Sequence, residues 1–217
     1  MTVQIYWGSG SPFAWRALLA AEIKRVPYES KLLEFSKGDL KTPEFLALNP
    51  RGKVPVLRDA DFVIGESLAI MSYLDRKQPD PPLFGRTAED TGRIWVAIED
   101  FDSYLRDPIT TINRWLFGDK PRTPEVDEAH GKVMAEIARF EQRIGRGPWL
   151  VGNVPSAADI VWFPQMRILV RAGVRAEARA RELGLFPFVD VFPNIGAWIA
   201  RVEALPGYAN TFPPHWR

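Results

Sequence analysis

Ser11 stands where chemistry can be built. A short apolar run, Val3 to Trp7, precedes it and is broken by Gly8, Ser9 and Gly10; Pro12 follows, and from Phe13 to Ile23 apolar residues recur at helical spacing. Proline is tolerated in a first helical turn because its missing N–H has no helical partner there. Ser11 is therefore at the mouth of a helix N-terminus directly after a strand, where free N–H groups and the helix dipole favour negative charge. A serine in that place can hold an anion; with no base beside it, it is a poor nucleophile. Two further stretches carry polar chemistry. In NPRGKVPVL, residues 49–57, the Lys53-Val54-Pro55 step puts a proline at a strand, which requires an edge or a special backbone place. A backbone turned outward at Val54 offers its N–H and C=O to an extended peptide. In GESLAIMSYL, residues 65–74, Glu66 and Ser67 lead into a helix. A carboxylate beside a free helix N-terminus suits a zwitterion, with Glu66 for an ammonium and Ser67 with the N–H groups for a carboxylate. Taken singly, each has a structural explanation: a tight turn, an edge strand, a helix cap.

Other chemistries are excluded by what the chain lacks. It contains no cysteine, so disulfides, thiolate metal ligands and a protein thiol nucleophile are out. Its two histidines, His130 and His215, fall in no recognisable motif, which disfavours a Ser-His-Asp hydrolase and a His-cluster metal site. A formal net charge of +1 gives no overall electrostatic case for nucleic acid or an anionic membrane. No stretch approaches the ~20 apolar residues of a membrane helix. No basic segment followed by an apolar one opens the chain, so a cytoplasmic location is expected.

The elements that must position these residues follow from periodicity and breakers. Tyr28 to Phe35 alternates as a second strand, and Thr42-Pro43 caps a short helix ending near Asn49-Pro50. Residues 54–58 and 62–64 read as a strand pair across a turn, and a helix runs from about Leu68 to Lys77. The order β-α-β-α-β-β-α predicts a mixed four-stranded sheet with helices packed on it. QPDPPLFGR, residues 78–86, is a proline-rich linker, and beyond it only helices are predicted. Thr87 to Phe117 reads as one long helix that Pro108 should end or kink. Glu125 to Ile144 is helical after Thr123-Pro124. Ser156-Ala157-Ala158-Asp159 resembles a capping box opening a buried helix, Ile160 to Val170, bent at Pro164. A short helix near 175–183, an aromatic loop over 184–192 and a last helix from Asn194 to Leu205 complete the chain. The fold class is thus α+β, with domains at 1–78 and 87–217 joined by a linker at 79–86.

The order and spacing of SPFAWR, NPRGKVPVL and GESLAIMSYL resemble the N-terminal domain of the glutathione S-transferase superfamily. The resemblance implies a thioredoxin-like first domain and an all-α helical-bundle second domain that contributes the electrophile pocket. WLVGNVPSAADIVWFP is similar to the family's capping box and hydrophobic staple at the start of a core helix. Residue by residue, it implies that Ser11 is the activating hydroxyl, as in the serine-type classes (theta, zeta and bacterial relatives). Val54 then binds the cysteinyl backbone of glutathione, with Pro55 cis. Glu66 and Ser67 hold the γ-glutamyl end, and Lys53, with Lys41, lies near the glycyl carboxylate. Ser9 is the rival hydroxyl. Phe13 and Tyr104 are candidates for the electrophile pocket, with Trp115, Phe212 and Trp216, although each of these also fits a core or interface role. Arg16 stands one turn into the first helix, suited either to an anionic substrate or to solvent.

The implied co-substrate is glutathione, with no metal, and the implied assembly is a homodimer. Glutathione supplies the thiol that the protein lacks. A free thiol has a pKa of ~8.5, and a hydrogen bond from Ser11 stabilises the thiolate. The expected activity is transfer of glutathione to a small apolar or aromatic electrophile. SPFAWR keeps the Trp15 and Arg16 of the zeta-class isomerase motif but lacks its cysteine, and bacterial etherases carry a similar stretch. The alternatives are a glutathione-dependent isomerase or etherase, and a non-catalytic glutathione-binding or stress-response module.

Overall fold

The computed structural model describes residues 2–216 and forms two compact units. One comprises the chain to Phe84 together with the segment from Ala204 onward; the other is Gly85–Glu203. The first contains a four-stranded sheet. Its strands are β1 (Val3–Gly8), β2 (Tyr28–Leu33), β3 (Val56–Asp59) and β4 (Phe62–Gly65), in the order β2-β1-β3-β4. β1 pairs parallel with β2 through the crossover helix α1 (Pro12–Ile23), while β3 runs antiparallel to both β1 and β4. Val3, Ile5 and Trp7 alternate into the core from β1, as the period of a strand requires. Phe35 leaves the predicted second strand: β2 stops at Leu33, and residues 35–37 form a 3₁₀ turn closed by Gly38 at φ 76°. Helices α2 (Pro43–Leu48) and α3 (Ser67–Lys77) match their predicted positions to within a residue. α1 packs on α3, burying Ala14, Ala17, Leu18 and Ala21 with Ile70, Met71 and Leu74. Lys24, capping the end of α1, is fully buried and donates to Asp75 at 2.6 Å and to the Pro81 carbonyl.

The second unit is helical. α4 (Ala88–Asp100) and α5 (Arg106–Phe117) replace the single predicted helix, separated by a π turn at Phe101–Leu105. The interruption lies upstream of Pro108, which sits in the first turn of α5. A proline there has no N–H for the carbonyl four residues back, Tyr104, and its ring crowds that carbonyl. α6 (Pro124–Ile144) is followed by the long α7 (Ala157–Arg175), which continues through Pro164. Three shorter helices follow: α8 (Glu177–Glu182), α9 (Phe188–Val191) in the segment predicted as an aromatic loop, and α10 (Pro193–Glu203).

The segment from 204 corrects the predicted domain limits, which placed everything after residue 86 in the helical domain. It carries a further helix, α11 (Tyr208–Thr211), and belongs to the first unit. The physical reason is Trp15. Its indole N–H donates to Thr211 Oγ1 at 2.9 Å in the interior, and the rings of Tyr208, Phe212 and Trp216 surround it at 5.3–6.4 Å.

Candidate functional site

The sheet register gathers the predicted residues of the first unit. Tyr6 of β1 faces Val56 of β3, and Val56 faces Gly65 of β4. The exit of β1, the entry of β3 and the exit of β4 are therefore at one end of the sheet. Gly8 pairs with Leu33, so the exit of β2 is there too. From that end spring the loop carrying Ser9 and Ser11, the segment Lys53-Val54-Pro55, the step Glu66-Ser67, and the 3₁₀ turns leading to Lys41.

Ser11 is the N-cap of α1, with extended backbone at φ −74° and ψ 116°. Its Oγ accepts from the Ala14 N–H at 3.2 Å, and its own N–H donates to the Gly8 carbonyl at 3.1 Å. A hydroxyl is one donor and two acceptor positions. With a lone pair committed to Ala14, Ser11 retains its hydrogen for a group bound at the helix mouth. No acidic residue occupies the first turn of α1, so the helix itself carries no carboxylate that would neutralise its positive end.

Val54 is half-buried, Pro55 is buried, and the peptide between them is cis. Lys53 is exposed. The loop before β3 is held by Asn49, a residue that the motif gave no role. Asn49 donates through Nδ2 to the Lys53 carbonyl at 2.7 Å and accepts the Arg51 N–H at 3.1 Å, while its carbonyl takes the Gly52 N–H at 2.9 Å. The signal was present, because Asn is the residue whose side chain most readily bonds its own backbone two residues on.

Glu66 is exposed and precedes a buried Ser67 at the first position of α3. Its φ is 63°, a left-handed value for a residue with a side chain. Such a backbone costs on the order of 1–3 kcal/mol and persists where the surroundings impose it. α3 is tied down at its far end. Asp59 Oδ2 accepts from Lys77 at 2.5 Å and from Tyr73 Oη at 2.6 Å. Those bonds, Lys77 first, hold the Asp59 carboxyl below the usual carboxylate range. Lys41 is exposed at the last position of its 3₁₀ turn. Among the described residues no group of three or more His, Asp or Glu side chains is disposed to hold a metal ion, and no helix is long and apolar enough to cross a membrane.

The sequence and the fold of the chain are similar to those of known proteins. Residues 10–77 match the model of the glutathione S-transferase N-terminal domain, and residues 123–201 match that of the C-terminal domain. Glutathione S-transferase 4 of Zea mays is 32% identical over 209 residues, covering 94% of this chain and 89% of its own. The chain belongs to the glutathione S-transferase family. A glutathione S-transferase from the Antarctic clam Laternula elliptica superposes with a TM-score of 0.84 at 29% identity, over 100% of this chain and 94% of that one. Glutathione S-transferase A of Pleuronectes platessa is 26% identical over 219 residues, 98% of this chain and 92% of its own. The protein is accordingly an enzyme of the glutathione S-transferase class, with the thioredoxin-like first domain and helical second domain that the resemblance implied. The three relatives named are a plant, a clam and a fish protein, so they do not single out a bacterial theta- or zeta-like subclass.

The two candidates for the electrophile pocket fall in different units. Phe13, one residue inside α1, is 37% exposed and lies under the Arg16 guanidinium at 4.9 Å. Arg16 itself is buried, against the expectation that solvent or a substrate meets it. Tyr104 belongs to the π turn of the helical unit and is 59% exposed. Trp115 is buried, with the Arg179 guanidinium 5.0 Å from its ring, and Phe212 and Trp216 pack around Trp15.

Proposed function

We propose that this enzyme binds glutathione at the end of its sheet and activates the thiol by a hydrogen bond from Ser11, for attack on a small apolar or aromatic electrophile. The observation that carries the reading is the placement of Ser11. It is an N-cap whose lone pair is committed to Ala14, leaving its proton and the open end of α1 for an anion. The same sheet end supplies the rest of the cradle. The Val54 backbone pairs with the cysteinyl unit. Glu66 takes the γ-glutamyl ammonium while Ser67 and the N-terminus of α3 take its carboxylate. Lys53 and Lys41 attract the glycyl carboxylate. A glutathione transferase of Pseudomonas fluorescens with this fold was solved with two glutathione molecules bound, which is consistent with this choice of co-substrate. Phe13 offers an apolar wall beside the sulfur. Assembly as a homodimer in the cytoplasm belongs to the same reading.

Serine acts here as a donor, so no histidine base is needed. A hydrogen bond to a charged group contributes about 1.5–3 kcal/mol. At about 1.4 kcal/mol per unit, the thiol pKa falls by about one to two units from ~8.5, which makes thiolate a major species at neutral pH. The test is the thiolate absorbance of bound glutathione against pH. The wild type should show the lowered pKa, and Ser11→Ala should return most of the shift. Glutathione that binds the wild type with an unshifted thiol overturns the mechanism.

A further inference from the structure

The loop between β1 and α1 holds a second hydroxyl with a partner of its own. Ser9 Oγ lies 2.5 Å from Nδ1 of His215. On the other side of the ring, the Trp216 indole N–H meets Nε2 at 3.0 Å. An indole nitrogen only donates, so Nε2 accepts, and the neutral imidazole carries its proton on Nδ1. That proton is given to Ser9. The ring is seated over Gly10, whose φ is 88°: a Cβ there would stand 3.0 Å from Cε1 and 3.3 Å from Nε2. Glycine supplies both the left-handed turn and the room for the imidazole. Trp216 in turn packs edge-on against Trp15 at 5.3 Å, so the histidine is carried on an anchored segment.

Ser9 and Ser11 thus share one logic. Each has a lone pair fixed by a donor of the protein, Ser11 by the Ala14 N–H and Ser9 by His215, and each keeps its own hydrogen to give. We propose that His215 is a positioning residue of the thiol site, holding Ser9 as a second hydroxyl donor to the thiolate beside Ser11. This rests on the reading of the sheet end as the glutathione site. His215 touches neither the sulfur nor the electrophile; its effect passes through Ser9.

The experiment compares the thiol pKa of bound glutathione in Ser9→Ala, His215→Ala, the double variant, His215→Asn and Ser11→Ala. Asparagine places an amide donor where Nδ1 stands, so it preserves the bond to Ser9. His215 is exposed, and its replacement opens no core cavity. Ser9→Ala and His215→Ala should each raise the thiol pKa by about half a unit to one unit, with the double variant no higher than either. His215→Asn should remain near the wild type. If Ser9→Ala leaves the thiol unmoved while Ser11→Ala raises it, the role of His215 falls and that of Ser11 stands. If Ser9→Ala raises it and Ser11→Ala does not, the reverse holds. A shift in His215→Ala that adds fully to that of Ser9→Ala, or that His215→Asn reproduces, also overturns the proposal. A thiol unshifted in the wild type overturns both.

Discussion

At the scale of the residue, Glu66 is the position where structure and use pull against each other. It holds a φ of 63° with a full side chain, directly before the helix whose N-terminus offers an anion site. The sequence made the pair Glu66-Ser67 legible as a helix start beside a carboxylate. It held no sign of the left-handed backbone, because that is usually announced by Gly or Asn and here neither is present. In the proposed function, the ligand accounts for a carboxylate kept at a conformational cost. Glu66→Gly separates the two terms. Relief of strain should outweigh the extra freedom of the unfolded chain and raise stability by about 1 kcal/mol in urea unfolding. Loss of the ammonium partner should weaken glutathione about tenfold or more by calorimetric titration. A variant that binds glutathione as the wild type does would remove Glu66 from the site. The residues that hold a site are harder to read than those that form it. Asn49 is one: its role is to fix the carbonyl of Lys53, and only the folded loop brings the two groups together.

At the scale of the element, α7 depends on Asp159. The carboxylate accepts from the Leu150 N–H at 3.0 Å, the Ser156 N–H at 2.9 Å, Ser156 Oγ at 3.0 Å and the Trp198 indole at 2.9 Å. Burial pushes its pKa up, and these four donors oppose that. Ser156-Ala157-Ala158-Asp159 was legible as a capping box because both reciprocal partners are local. The bonds from Leu150 and Trp198 were not, since they come from a loop and from α10. Asp159→Ala strands four buried donors and should cost about 3–5 kcal/mol in equilibrium unfolding. A cost under about 1 kcal/mol would mean that the box acts only as an ordinary helix cap. Pro108 announced an end or kink between α4 and α5, but the π turn that makes it was illegible for a different reason. The buried residues Ile94, Ala97, Ile98, Phe101, Leu105, Ile109, Ile112 and Leu116 keep helical spacing throughout, so the pattern reads as one helix. The two successive steps of four, Phe101 to Leu105 to Ile109, are where an α-helix would drift off its buried face and where the extra residue of the turn restores it.

At the scale of the whole molecule, the segment from Ala204 onward ties the far end of the sequence to the first helix. Composition placed it with the helical domain because nothing local says which surface an aromatic segment after Pro206-Gly207 will find. The answer lies in Trp15, an indole in the middle of an otherwise aliphatic helix face, which needs both a hydrogen-bond partner and an apolar enclosure. Thr211 supplies the first and Tyr208, Phe212 and Trp216 the second. The catalytic reading depends on this packing, since α1 presents Ser11 and the segment delivers His215 to Ser9. Deleting 204–217 should therefore weaken one unit selectively. Uncovering Trp15 and leaving its indole without Thr211 should destabilise α1 by on the order of 3 kcal/mol. By native-state hydrogen exchange, amides of α1 and β1 should then exchange about a hundredfold faster, while those of α7, packed within Gly85–Glu203, should keep their protection. Equal losses in α1 and α7 would show that the two units unfold as one, and protection retained in α1 would show that the segment is an ornament on a helix that stands without it.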